Sequence, residues 1–218
     1  MLSDSQTRSS QRRAAVSNAR CEFIIRSRRW RKTINGASLF LGLGPVVFPP
    51  IPADRRILFY HRDKTDFGFL SNFFPAPFVI NGQRWPTVEH YYQAQKSLSA
   101  LYRETVRCAP TPGQAKRLGA LPNTPVQRQS LVQKNPSLLR DDWEAQKLAV
   151  MQLATTAKFA QNGSLGRQLL ATKAAELVED SVSDIFWGIG ADCRGSNWLG
   201  RVLMEVRASL KAQSERNC

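Results

Sequence analysis

Residues Trp85 to Lys96, WPTVEHYYQAQK, set the frame for the rest of the chain. Pro86 biases Trp85 towards an extended conformation, and Thr87 is a good N-cap for a helix beginning at Val88. From that start Glu89, Gln93 and Lys96 stand at i, i+4 and i+7, so an acid, an amide and an amine share one helix face. Tyr91, Ala94 and Leu98 give a second face, apolar enough to bury. A polar stripe beside an apolar one is by itself the pattern of any surface helix, so the rest of the chain must say whether this one is solvated or a site.

Working upstream, Phe69 to Trp85 reads FLSNFFPAPFVINGQRW: an aromatic-rich loop, a strand over Phe78 to Ile80, and a tight turn at Asn81-Gly82. ILFY, from Ile57, is a short β-type run, followed by the polar loop HRDKTDFG. Downstream, Ala100 to Cys108 continues or restarts the helix, and Pro110, Pro112 and Gly113 set a boundary. Gln114 to Leu121 is a short helix carrying Lys116. Asp141 or Asp142 caps a long helix to about Gln161, in which Trp143, Met151, Ala154 and Lys158 recur at helical spacing. Ser164 to Ala171 suggests another helix, AELVE a strand-like segment, and Ile185 to Gly190, IFWGIG, opens a glycine-punctuated loop. Asn197 caps a last helix with Trp198, Leu199, Val202, Leu203, Val206 and Leu210 inward. Many helices and a few short strands without βαβ alternation predict a helix-rich α+β fold, compact and single-domain.

Of the 218 residues, 42% are apolar, and 11 Phe and 5 Trp suffice for a real core. The net charge of +14 is unevenly spread: Lys and Arg stand 11 against 3 acids in residues 1–56, and 20 against 14 in residues 57–218. A basic body welcomes anionic ligands such as phosphates or nucleic acid. Four scattered cysteines, Cys21, Cys108, Cys193 and Cys218, contain no CxxC, which argues against a disulfide framework or zinc site and for a reduced, metal-free protein; no cofactor is expected. Two histidines, His61 and His90, are too few for a multi-His metal centre. No GxSxG elbow supports a serine nucleophile.

Residues 1–56 read as a basic, Ser/Arg-rich extension, disordered or leader-like, residues 57–212 as the folded domain, and residues 213–218 as a tail. The apolar run LFLGLGPVVF is broken by Gly and Pro and too short to span a bilayer. An intracellular, cytoplasmic protein is expected, with organelle import by the N-terminal segment as the alternative. The sequence leaves the oligomeric state open.

Two constellations carry chemistry. Gly188, Gly190, Gly195 and Gly200 flank a helix N-terminus, where backbone N–H groups suit a phosphate; a turn without a ligand is the alternative, since the spacing matches neither the dinucleotide nor the Walker pattern. Trp143 and Trp187 offer flat faces for a nucleobase, or core packing.

The segments FYHRDKTDFGFLSNFFPAPFVINGQRWPTVEHYYQAQK, AKRLG, DDWEAQKLAVMQLATTAKF, LLAT and FWGIGADCRGSNWLGRVLMEVR together resemble the NADAR, or YbiA-like, family, in the family's own order from about Ile57 to Leu210. Its members are N-glycosidases: some cleave the ribosyl N-glycosidic bond of early riboflavin-pathway intermediates, others remove ADP-ribose from guanine in nucleic acid. The resemblance implies a compact YbiA-like fold and a pocket for a phosphorylated ribose bearing a base. By position it places the essential acid on Glu89, the helix lysine on Lys96 and the base-contacting tryptophans on Trp143 and Trp187. Some members carry an acid where this chain has Ile189.

Breaking a C–N glycosidic bond builds positive charge on the sugar, which a carboxylate stabilises or answers by activating water. The first-turn position of Glu89 favours its charged form through the helix dipole. Lys96 holds phosphate or attacks the opened sugar aldehyde as a Schiff-base nucleophile. The candidate site is therefore Glu89 and Lys96 as catalytic residues, with Trp143, Trp187, Asn72, Gln93, Gly188, Gly190 and Asn197 as substrate-binding ones and no metal. The expected substrate is a small phosphorylated ribosyl compound, a riboflavin-pathway ribosylaminopyrimidine phosphate; ADP-ribosylated guanine in nucleic acid, or non-catalytic binding of ADP-ribose or nucleic acid, are the alternatives.

Overall fold

The computed structural model describes residues 56–60, 66–120 and 140–216. Four short strands, β1 (Arg56–Phe59), β2 (Phe78–Ile80), β3 (Gln83–Trp85) and β4 (Glu176–Glu179), accompany six helices. These are α1 (Val88–Ala94), α2 (Ala100–Arg107), α3 (Pro112–Leu118), α4 (Trp143–Gln161), α5 (Gly163–Ala171) and α6 (Trp198–Arg216), the last running past the residue 212 boundary. A 3-10 turn covers Gly68–Leu70. This is the helix-rich α+β architecture.

The Asn81-Gly82 turn closes β2 against β3 in antiparallel register, with Phe78 opposite Trp85. Both turn residues have positive φ, 51° and 74°, as a tight hairpin with the strands' own twist requires. Thr87 then caps α1: extended at φ −149°, it accepts the His90 N–H. AELVE forms β4, which pairs in parallel with β1, Phe59 opposite Glu179, although the two strands lie far apart in sequence.

α1 is the centre of the molecule. All seven of its residues are buried, so the polar stripe is not a wet face. α2, α3 and α4 pack around it, and Tyr91 meets Trp85 edge-on at 5.0 Å. The helix stops at Ala94, so Lys96 lies just beyond its end and Leu98, expected on the apolar face, is 60% exposed. A seven-residue helix enclosed on every side needs its polar groups satisfied. The His90 ring does this structurally: Nε2 donates to the Ala109 carbonyl at 3.0 Å, which leaves Nδ1 to accept from the Thr87 hydroxyl. Burial holds this imidazole neutral by pushing its pKa down.

In α4 the recurring Trp143, Met151, Ala154 and Lys158 are all buried. Asp142 precedes the helix without capping it, because its carboxylate is taken by the Arg140 guanidinium at 2.8 Å. Lys158 Nζ donates instead to the carbonyls of Phe69 and Ser71, at 2.7 and 2.9 Å, and fixes the aromatic loop that leads to α1.

α6 packs on β4 so closely that a Cβ at Gly200 would lie 2.0 Å from the Leu177 carbonyl oxygen. Cys193 is disulfide-bonded, its partner lying outside the described residues, while Cys108 is free and exposed. This corrects the expectation of four reduced cysteines: spacing along the chain says little about pairing in space. Among the described residues, no helix is long and apolar enough to cross a membrane. The extension over residues 1–55 and His61 lie outside the described residues.

Candidate active site

Four elements converge beside α1. Glu89, 5% exposed, accepts from Gln93 Nε2 at 2.7 Å. Its own backbone N–H donates to the Asn72 carbonyl at 3.1 Å, so Asn72 reaches the site through its backbone, while its amide points to the Met151 sulfur at 3.4 Å. Burial pushes the Glu89 carboxyl above its ordinary range; the Gln93 amide, Lys116 and Lys96 oppose that shift, and Asp184 adds to it. Desolvation therefore outweighs the helix dipole in setting the direction of the Glu89 shift. The dipole of so short a helix is a surface-scale effect, whereas loss of water acts on the whole charge.

Lys96 Nζ donates to the Gly119 carbonyl at 2.9 Å and lies over the rings of Tyr92 and Trp143, 5.4 and 5.9 Å from their centroids. Tyr92 sits edge-on between the two tryptophans, 5.0 Å from Trp143 and 5.5 Å from Trp187. Trp143 is 6% exposed and belongs to the core. Trp187 is half-buried, and the Asp184 carboxylate accepts its N–H at 2.8 Å and that of Phe186 at 2.9 Å, which fixes the start of the glycine loop.

The glycine loop does not present the phosphate cradle expected of it. The N–H groups of Asn197, Trp198 and Leu199, at the start of α6, donate to the carbonyls of Gly188, Phe186 and Trp187. The Asn197 side chain does not cap α6 either: its oxygen accepts the Glu179 N–H at 3.0 Å and its amide donates to the Leu177 carbonyl at 2.9 Å, tying the loop to β4. Gly190 has φ +69°, and a Cβ at Gly188 would meet the Glu179 carbonyl oxygen at 2.8 Å. These glycines shape the loop. Ile189 is buried against Val178.

Four residues that stand beside the candidate site have no such role in the sequence reading: Tyr92, Lys116, Glu179 and Asp184. Glu179 ends β4 with Oε2 buried and without a hydrogen-bond partner among the described residues. Burial, reinforced by Asp184 and Glu89, pushes its carboxyl up to about 8, against the pull of Lys116. The available signal was an acid-rich run, Glu176 to Asp184, in an otherwise basic chain. Among the described residues, no three or more His, Cys, Asp or Glu are grouped as a metal site requires. A separate surface cavity, lined by Gln83, Trp85, Leu98, Ala100, Arg103 and Glu104, contains none of these groups.

A buried carboxyl group near two lysines and a half-buried tryptophan, on a helix enclosed by an α+β shell, is the candidate site. The NADAR domain model matches residues 58–211, and the chain belongs to the NADAR domain family. It is 40% identical over 154 residues to the N-glycosidase YbiA of Shigella boydii, covering 71% of this chain and 88% of that protein. A riboflavin biosynthesis protein of Vibrio vulnificus is 39% identical over 164 residues, 75% of this chain and 41% of the relative. The NMR structure of E. coli YbiA superposes with a TM-score of 0.63 at 40% identity, covering 74% of this chain and 88% of that one.

Proposed function

We propose that this chain is an N-glycosidase that hydrolyses the C–N bond between a phosphorylated ribose and a nucleobase-like group, with riboflavin-pathway ribosylaminopyrimidine phosphates as substrates. The names of its relatives support the class of reaction and the pathway. The observation that carries the reading is the setting of Glu89, buried yet held by the Gln93 amide and near both Lys96 and Lys116. As the C–N bond lengthens, positive charge grows on the sugar, and a desolvated carboxylate there stabilises it far better than one in water. The same group takes a proton from the attacking water. Lys96 and Lys116 supply the positive charge a sugar phosphate needs, and the half-open Trp187 supplies an edge or face for the base.

The test is incubation with ribosylaminopyrimidine phosphates and, in parallel, with DNA bearing ADP-ribosylated guanine, followed by chromatography of released bases. Release from the first is expected, together with its loss in Glu89→Gln. Release from the DNA alone reassigns the substrate. Release from neither, with strongly salt-dependent binding to nucleic acid, makes the chain a binding module instead.

A further inference from the structure

The backbone of Glu179 is anchored on several sides. Its N–H donates to the Asn197 side-chain oxygen at 3.0 Å, its carbonyl accepts the Ile189 N–H at 3.1 Å, and its residue pairs with Phe59 across the β1–β4 ladder. Gly188 packs against the same carbonyl with no room for a side chain. All this anchoring is on the backbone, and it delivers the side chain to a place where Oε2 is buried and has no partner among the described residues. A native structure leaves few such groups, and an unsatisfied one calls for a reason.

The charged groups that act on Glu179 are Glu89 from α1, Asp184 from the loop after β4 and Lys116 from α3. The two glutamates are treated unequally. Glu89 Oε1 receives an N–H donor from Gln93, which favours a carboxylate, whereas Glu179 Oε2 receives none, which favours a carboxylic acid. Glu179 borders the glycine loop, whose Trp187 meets Tyr92 of α1 at 5.5 Å, and two carboxyl groups on such facing elements whose surroundings separate their protonation states suit an acid and a base sharing one reaction.

We propose that Glu179 is the second reacting carboxyl group of this site, the acid that protonates the departing nitrogen while Glu89 serves as the base. The assignment rests on the N-glycosidase reading. An amino nitrogen leaves poorly as an anion, so the bond to the sugar carbon breaks with its electron pair passing to a nitrogen that takes the Glu179 proton. A water oxygen bonds to the sugar carbon and its proton passes to Glu89. Proton exchange with solvent then returns Glu89 to the carboxylate and Glu179 to the acid. The elevation of Glu179 to about 8 agrees with an acid that keeps its proton, and is uncharged, at neutral pH.

The experiment compares wild type, Glu179→Gln and Glu89→Gln on two substrates: a ribosylaminopyrimidine phosphate, and a nitrophenyl riboside phosphate whose leaving group departs without a proton. Glu179→Gln is expected to lose about 100-fold or more on the first and to stay within about threefold of wild type on the second, which also shows that the variant is folded. Glu89→Gln is expected to lose both activities. In wild type, the base-release rate on the first substrate should fall on the alkaline side, and Glu179→Gln should lose that limb. Equal losses of Glu179→Gln on both substrates, or unchanged release from the aminopyrimidine, overturn the assignment alone. Wild-type protein that releases no base from either compound or from DNA bearing ADP-ribosylated guanine overturns the glycosidase reading and this assignment with it.

Discussion

Lys96 donates to the carbonyl of Gly119 at 2.9 Å, so the amine just past the end of α1 is tied to the end of α3. A charge-assisted hydrogen bond contributes about 1.5–3 kcal/mol, so a lysine that transfers this contact to substrate matters by at least about tenfold. Lys96→Met is expected to reduce kcat/KM for base release by that factor or more while leaving the fold intact. Borohydride added during turnover then assigns its role: a sugar adduct on Lys96 identifies a nucleophile, and its absence a binding residue. Near-wild-type kcat/KM in Lys96→Met removes the residue from the site.

Gly119 has a second neighbour. A Cβ there would lie 2.1 Å from Gln93 Oε1 and 2.6 Å from Gln93 Cβ, and the latter cannot swing away as a chain end does. Gly119→Ala is expected to cost about 1–3 kcal/mol through overpacking. Because Gln93 holds Glu89 and Gly119 holds Lys96, activity should fall by more than the stability loss explains. Thermal unfolding and steady-state kinetics on the same preparation check this, and a variant that is destabilised yet fully active would disprove it.

Lys158 gives a pH signature. Its folded pKa is about 7 against the ordinary 10.5, because burial disfavours the charged amine. Between these values the unfolded chain binds a proton that the folded chain does not, so this lysine makes stability rise with pH from about 7 to 10.5 and fall as pH drops towards 7. Glu179 acts in the opposite sense: raised from 4.5 to about 8, it makes stability fall as pH rises across that interval. Urea unfolding of wild type and Lys158→Met isolates the lysine, since the Glu179 slope is common to both. The stability of wild type relative to the variant is expected to grow between neutral and distinctly alkaline pH. The variant should also be less stable overall, because the Phe69 and Ser71 carbonyls lose their donor, at about 1–3 kcal/mol each.

The two tryptophans are expected to separate. Trp143 is a core residue, and Trp143→Ala should cost about 3–5 kcal/mol of stability. Trp187 is half-buried, so Trp187→Ala should cost less stability and raise KM for base release more. Matched thermal melts and kinetics decide; equal stability losses with unchanged KM would exclude Trp187 from substrate contact.

Local chemistry made much of this legible in the sequence. The Asn-Gly turn, the Thr87 cap and the helical spacing of Trp143, Met151, Ala154 and Lys158 are nearest-neighbour signals, and each element formed where they placed it. Glu89, Gln93 and Lys96 do come together, although α1 ends before Lys96. The sequence reading missed what depends on enclosure. A pattern cannot distinguish a helix with one wet face from one surrounded on all sides, so the rise in the Glu89 pKa was missed. Glu179 was hidden because its partner strand is distant in sequence, and Asn197 because its side chain turns back to β4 instead of capping α6. The Cys193 disulfide was likewise invisible in spacing.

The β1–β4 ladder has a consequence for synthesis. Arg56 bridges to Glu176 at a separation of 120 residues, and β4 in turn needs α6 against Leu177. Such distant pairings impose the largest closure entropy and are formed slowly. On the ribosome, α1 with Glu89 emerges well before the strand that carries Glu179, so a growing chain can hold half of this chemistry but never the whole. The Asn197 side chain that holds the Glu179 backbone stands just ahead of α6, so a chain that stops before this point keeps the α1 sequence but loses a contact that places the second carboxyl group.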